Sequence, residues 1–228
     1  MQLINNPILF TTDQQYSSQD SSQSSTDSLS PLCDLPFFWP HGFEWVSFSW
    51  NPKRTSAKLV LLTDNCSDHT QHACISGQDG SGQPSMVKVK DGAGFKSAFG
   101  TQAMVRGGRY FFQVKLVHGT LMKVGIARKG VSTEHAFSDG ANGWAIYNGE
   151  LRHNSNSTGD KYGKSFYTGD IVGVYLDMIE GTLAFSRNGV YWGVAFTSEE
   201  FKKGVFYPAV APIYQNDTVI TMNPPRED

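Results

Sequence analysis

Asp170-Ile-Val-Gly-Val-Tyr-Leu-Asp177, followed by Gly181-Thr-Leu-Ala-Phe-Ser-Arg-Asn-Gly-Val-Tyr-Trp-Gly-Val-Ala-Phe196, decides the fold class. The first stretch is apolar on both faces of an extended chain, which predicts a central strand covered on each side. The second holds two strand-like runs, Thr182 to Arg187 and Val190 to Phe196, joined by Asn188-Gly189. Asn-Gly supplies the two positive φ values of a type I′ turn, whose twist matches the strands it joins. A second such pair, Asn148-Gly149, separates Trp144 to Tyr147 from Glu150 to His153 and predicts another hairpin.

Outward from these hairpins the pattern repeats. In Tyr110 to Val117 the residues Tyr110, Phe112, Val114 and Leu116 share one face, and Gln113 and Lys115 lie on the other among Phe111 and Val117. That alternation predicts a half-buried strand. Tyr207-Pro208 is expected to open a late strand, where proline removes no ladder bond. One turn of helix fits at Ser198 to Lys203, with Ser198 as its cap and Gly204 as its stop. Many short antiparallel strands at this spacing predict an all-β sandwich running as one domain from Leu35 to Asp228.

Composition agrees. The 228 residues include 23 Gly, 10 Pro, 15 Phe, 9 Tyr and 5 Trp, with only 18% charged, which suits strands and tight turns and excludes a helical bundle or coiled coil. Asp13, Asp20, Asp27 and Asp34 are the only charged residues before Phe37, so the leader carries −4 and the remainder, with 19 basic and 17 acidic residues, +2. A nearly neutral body argues against nucleic acid or an anionic membrane as partner. Eight of the fourteen residues from Ser17 to Ser30 are serine, too little apolar surface to offset ordering. Residues 1–34 are therefore expected to be a mostly disordered acidic leader, with Met1 to Phe10 able to form a short strand or docking segment. Three cysteines and no apolar run of spanning length predict an intracellular soluble chain, cytoplasmic or nuclear, and a monomer.

The ordered segments resemble a known family, the PRY-SPRY domain. Phe48 to Asp64 is similar to its PRY portion, and Gly108 to Val114, Lys123 to Arg128 and Tyr167 to Asp177 are similar to its successive SPRY strands. Gly181 to Phe196 and Val205 to Ala211 complete the resemblance. It implies a bent sandwich of two antiparallel sheets in a concanavalin-like jelly-roll arrangement, with no catalytic machinery and no cofactor. It also implies loops at one end that bind a protein or short peptide. Many members sit inside ubiquitin-ligase chains, which makes a substrate-recognition adaptor and ubiquitin-ligase components the expected context. Within the resemblance, the binding pocket falls among Val87 to Lys90, Ser132 to Ser138 and Ile213 to Asn216. Tyr214 stands where peptide-binding relatives often carry Trp, and an exposed aromatic on a rigid loop is a suitable anchor. Phe137 and His135 follow, Gln215 and Asn216 are expected to hydrogen-bond a peptide backbone, and Lys88 and Lys90 complete the candidate set. The alternative is a lectin-like carbohydrate site, with Tyr214 as platform beside Asn216 and Asp217.

Other chemistry is weaker. Gly159-Asp-Lys-Tyr-Gly-Lys-Ser165 has three residues between its glycines where a phosphate loop needs four, and a strand follows it where a long helix is required. Cys66, His69, His72 and Cys74 are ligand types suited to tetrahedral zinc. Alternate residues of a hairpin point to opposite faces, so four ligands from one short hairpin rarely close a tetrahedron, and no metal is assigned. Asp170 and Asp177 bracket one strand, over ~20 Å apart, too far for a glycosidase acid pair.

Overall fold

The computed structural model describes residues 40–63, 84–92, 94–155, 157–222 and 224, all within the unit Pro36–Asp228. The leader 1–34 and the Cys66/His69/His72/Cys74 cluster lie outside the described residues. In chain order the strands are β1 Glu44–Trp45, β2 Trp50–Thr55, β3 Leu59–Leu62, β4 Met86–Val89, β5 Ala98–Gly100 and β6 Met104–Val105. There follow β7 Arg109–His118, β8 Met122–Arg128, β9 Gly143–Tyr147, β10 Glu150–Arg152 and β11 Ile171–Asp177. The last are β12 Thr182–Arg187, β13 Val190–Thr197, β14 Val205–Pro212 and β15 Thr218–Met222.

They form two sheets. One runs β13-β12-β11-β7-β15-β4-β3, the other β10-β9-β8-β14-β5-β2 with β6 beside β14. All pairings are antiparallel except β1, which lies parallel to β7 at Tyr110 and Phe111, beyond the point where β15 ends at Gln113. The fold is therefore the expected all-β sandwich. Its inner faces meet in a core that includes Phe112, Val114 and Leu116 from β7, Val124 and Ile126 from β8, Val174 and Phe185. Each such fully buried side chain contributes about 1.5–3 kcal/mol.

The local signals act as their chemistry requires. Asn148, Gly149, Asn188 and Gly189 all have positive φ, from 47° to 79°, at the two hairpin tips. The central strand begins one residue after Asp170, whose carboxylate accepts from the Tyr167 amide and from the Asn188 side chain, tying the strand's start to the neighbouring hairpin. Asp177 pairs with Arg109 at 2.7 Å and accepts from the amides of Ile179 and Glu180. Both aspartates thus serve turns. Ser198 caps a 3-10 turn, Glu199–Lys202, by accepting from the Glu200 amide.

Two expectations change. The first half of β7 is covered on both faces, because Phe43 and Trp45 cross its outer side and pack on Phe111 and Tyr175. Pro208 lies inside β14, which starts at Val205. On one flank of β14, β6 pairs with Val205 and Phe206 and β5 with Ala209 and Val210, so the ring sits where that ladder is interrupted.

Candidate functional site

The outer face of the second sheet is unusually smooth. On β8 and β9, Gly125, Ala127, Gly143 and Ala145 alternate with core residues, and Ala209 and Ala211 continue the small surface onto β14. A Cβ on Gly125 would come within 2.0 Å of the Trp144 carbonyl oxygen, and one on Gly143 within 2.0 Å of that of Phe137. The trough these residues leave is filled by the segment between β8 and β9, whose Phe137 is completely buried against Phe99 and the alanines. Ser97 Oγ donates to the His135 carbonyl at 2.6 Å and the Ser97 amide to the Thr133 carbonyl at 2.8 Å, pinning the segment along its length.

Further along the same face, towards the loop that follows β14, the small residues give way to a polar and aromatic group. Lys123, next to Ala211 in register, is buried with a side chain 1% exposed. Its Nζ lies 2.7 Å from Asp139 Oδ1 and 4.6 Å from the centre of the Phe95 ring. Desolvation lowers its pKa, and the bond to Asp139 opposes that shift. The β8–β9 register carries Lys123 beside Tyr147, whose ring meets Phe95 edge-on at 5.4 Å. Arg152 stands 5.2 Å from the Tyr147 ring and binds Glu150 at 2.5 Å, while its Nε and Nη1 are buried without a hydrogen bond. Burial raises the Tyr147 pKa, and the nearby Tyr214 phenol adds to the shift.

Tyr214 completes the group, 52% exposed on the turn between β14 and β15. Asp217 Oδ2 accepts from the amides of Ile213 and Tyr214, at 3.2 and 2.9 Å, so one buried carboxylate holds the turn. Asn216 takes φ 70° in that turn, and its amide donates to the Val89 carbonyl. Gln215 reaches the Lys90 carbonyl at 3.5 Å.

The structure therefore gathers Tyr214, Gln215, Asn216 and the end of β4 with Lys90, and links them to the 132–138 segment through residues 95–97, where the Lys96 amide donates to the Pro212 carbonyl. His135 is exposed with its carbonyl fixed. Phe137 is corrected: as a plug in the trough it offers no surface to a partner. Lys88 is half-buried on the outer face of the first sheet, opposite Thr218. Phe95, Lys123, Asp139, Tyr147, Glu150 and Arg152 were not among the expected residues. The every-second-residue run of Gly and Ala in β8 and β9 was their one local signal, since it marks an outer face that something must cover.

A calcium-assisted sugar site on this turn would need Asp217, which is 3% exposed and already engaged by two amides. Among the described residues no three His, Cys, Asp or Glu side chains group as metal ligands, and no helix is long and apolar enough to cross a membrane. His153 stacks on Trp144 at 4.5 Å, and its Nδ1 lies 2.9 Å from the Gly143 carbonyl oxygen, beside the β9–β10 hairpin.

Comparison with known proteins places this arrangement. The SPRY domain model matches residues 109–226, more than half of the chain. Ran-binding protein 9 of Xenopus tropicalis is 29% identical over 154 residues, covering 65% of this chain and 25% of its own length. SPRY domain-containing SOCS box protein 3 of the same organism is 30% identical over 176 residues, covering 71% of this chain and 41% of its own. F-box/SPRY domain-containing protein 1 of Culex quinquefasciatus is 32% identical over 126 residues, covering 48% and 46% respectively. The chain thus spans about a quarter of the length of Ran-binding protein 9 and under half of the other two. In fold, the SPRY domain of human HERC1 superimposes with a TM-score of 0.55 at 18% identity, over 76% of this chain and 96% of that one. The residues before 109 lie outside the matched segment yet supply β1 to β6, strands of both sheets. With its ordered motifs, its two-sheet topology and the match over residues 109–226, the chain belongs to the SPRY domain family.

Proposed function

We propose that this chain is a non-catalytic protein-interaction module that docks a protein or short peptide on the surface formed by Phe95, Tyr147 and Tyr214. The carrying observation is Tyr214, a half-exposed aromatic on a turn that a buried carboxylate holds rigid, beside two further partly exposed rings. Such a group buries a large area on binding with little side-chain freedom to lose. Gln215 and exposed His135 flank it with polar groups for a peptide backbone.

The names of two relatives include a SOCS box and an F-box, which supports a role as a substrate-recognition adaptor in ubiquitin signalling. Proximity labelling in cells tests both levels. Wild-type protein is expected to label a partner set that Tyr214→Ala loses, with cullin or E2 components in that set. An unchanged set with Tyr214→Ala would move the site elsewhere, and a set without ubiquitin-ligase components would remove the adaptor role.

A further inference from the structure

We infer that this surface selects an uncharged peptide segment with an apolar or aromatic anchor and rejects acidic ones. The inference rests on the binding role proposed for the Phe95, Tyr147 and Tyr214 surface, and it follows from where the charges at that surface are already spent. Lys96, next to Phe95, turns its Nζ to the Glu134 carbonyl at 2.6 Å, and the two cations that stand at the rings themselves are hidden: the side chains of Lys123 and Arg152 are 1% and 6% exposed. Each is closed by a carboxylate, Asp139 at 2.7 Å and Glu150 at 2.5 Å. The carboxylates are the more accessible partners, with side chains 28% and 38% exposed. A ligand arriving between the rings therefore meets aromatic faces and carboxylate oxygens, with the cations behind them.

Only one oxygen of each carboxylate is used. Asp139 Oδ1 takes Lys123 and Glu150 Oε2 takes Arg152, leaving Asp139 Oδ2 and Glu150 Oε1 without a side-chain partner among the described residues. Those oxygens accept, so they favour backbone N–H groups or neutral amides and repel another carboxylate. An acidic ligand would reach Lys123 only by breaking its pair with Asp139, and Arg152 only by displacing Glu150 or by opening the packing that buries its Nε and Nη1. Rim charges of both signs, Lys90 next to Asp91 and Lys161 next to Asp160, are exposed and screened.

The test is selection from a random 12-residue peptide display library on the full chain, with counter-selection on the Tyr147→Ala/Tyr214→Ala variant. Peptides that depend on the two tyrosines are expected to be rich in aromatic and aliphatic residues and depleted in Asp and Glu. Their Kd should change less than about threefold between low and high salt, because no net charge is neutralised on binding. Replacing a neutral residue beside the anchor by Glu should weaken binding at least about tenfold, and Glu150→Gln should recover part of that loss. Tyrosine-dependent peptides rich in Asp or Glu, or a steep salt dependence, would overturn the inference while leaving the binding surface in place. Absence of any tyrosine-dependent peptide would overturn the binding role itself.

Discussion

Lys123 Nζ and Asp139 Oδ1 meet at 2.7 Å and join the middle of the second sheet to the segment that crosses its outer face. The pair is asymmetric in burial, 1% against 28% side-chain exposure. Removing the aspartate strands an ammonium with no water to receive it, whereas removing the lysine leaves a carboxylate that still reaches solvent. Asp139→Ala is therefore expected to cost about 3 kcal/mol and Lys123→Met about 1 kcal/mol. Urea denaturation of the two variants checks the order, and a larger loss for Lys123→Met would contradict it.

Phe137 holds the same segment from its other side. Phe137→Ala should cost about 3–5 kcal/mol, as for other fully buried phenylalanines. Gly143→Ala should reach a similar result by pushing on the Phe137 carbonyl. Hydrogen exchange would show amides of residues 131–139 losing protection in both, with the β11–β12 hairpin unaffected.

Tyr162 mends a break in the first sheet. Register shifts between β12 and β13 leave Phe185 out of the ladder, and the Tyr162 hydroxyl fills the gap, accepting from the Phe185 amide at 3.1 Å and donating to the Gly193 carbonyl at 2.6 Å. Tyr162→Phe leaves both backbone groups unpaired and should cost about 1–3 kcal/mol. Burial pushes the Tyr162 pKa up to about 12, so its contribution is fully present below pH 10 and is lost as pH rises through 12. Thermal melts between pH 9 and 12 should fall less steeply for Tyr162→Phe than for the wild type. An equal slope would mean that Tyr162 does not carry this pH dependence.

Asp217 fixes the orientation of Tyr214 from within the turn, through the amides of Ile213 and Tyr214. Asp217→Ala should destabilise the fold by about 1–3 kcal/mol and weaken partner binding, because two amides lose their acceptor and the turn opens. Asp217→Asn keeps a carbonyl acceptor and should retain most of both properties. Binding that survives Asp217→Ala unchanged would separate the turn from recognition.

Much of the fold was legible because its signals are local. The two Asn-Gly pairs and the Ser198 cap each act within a few residues and appear where they were expected; the strand read from Tyr110 to Leu116 is also in place, but its first half is covered on both faces by the distant Phe43 and Trp45. The late strand was misjudged because proline's cost depends on which flank of β14 carries a ladder, a fact of sheet order. The site was half legible. Tyr214 and its turn are contiguous, but Lys123, Tyr147 and Arg152 come together only through the register of β8, β9 and β10. Phe137 looked like a surface aromatic because its trough exists only once β8 and β9, on either side of it in sequence, are joined by the distant β14 and by Phe99 of β5.

Whether partners dock at the Tyr147 and Tyr214 rings is read out by site-specific photo-crosslinking in cells, with p-benzoylphenylalanine placed at position 214 or 147, and at 179 as an exposed control after the far end of β11. One shared partner is expected to crosslink from 214 and 147, and none from 179. Crosslinks to that partner from 179 alone, or equally from all three positions, would contradict it.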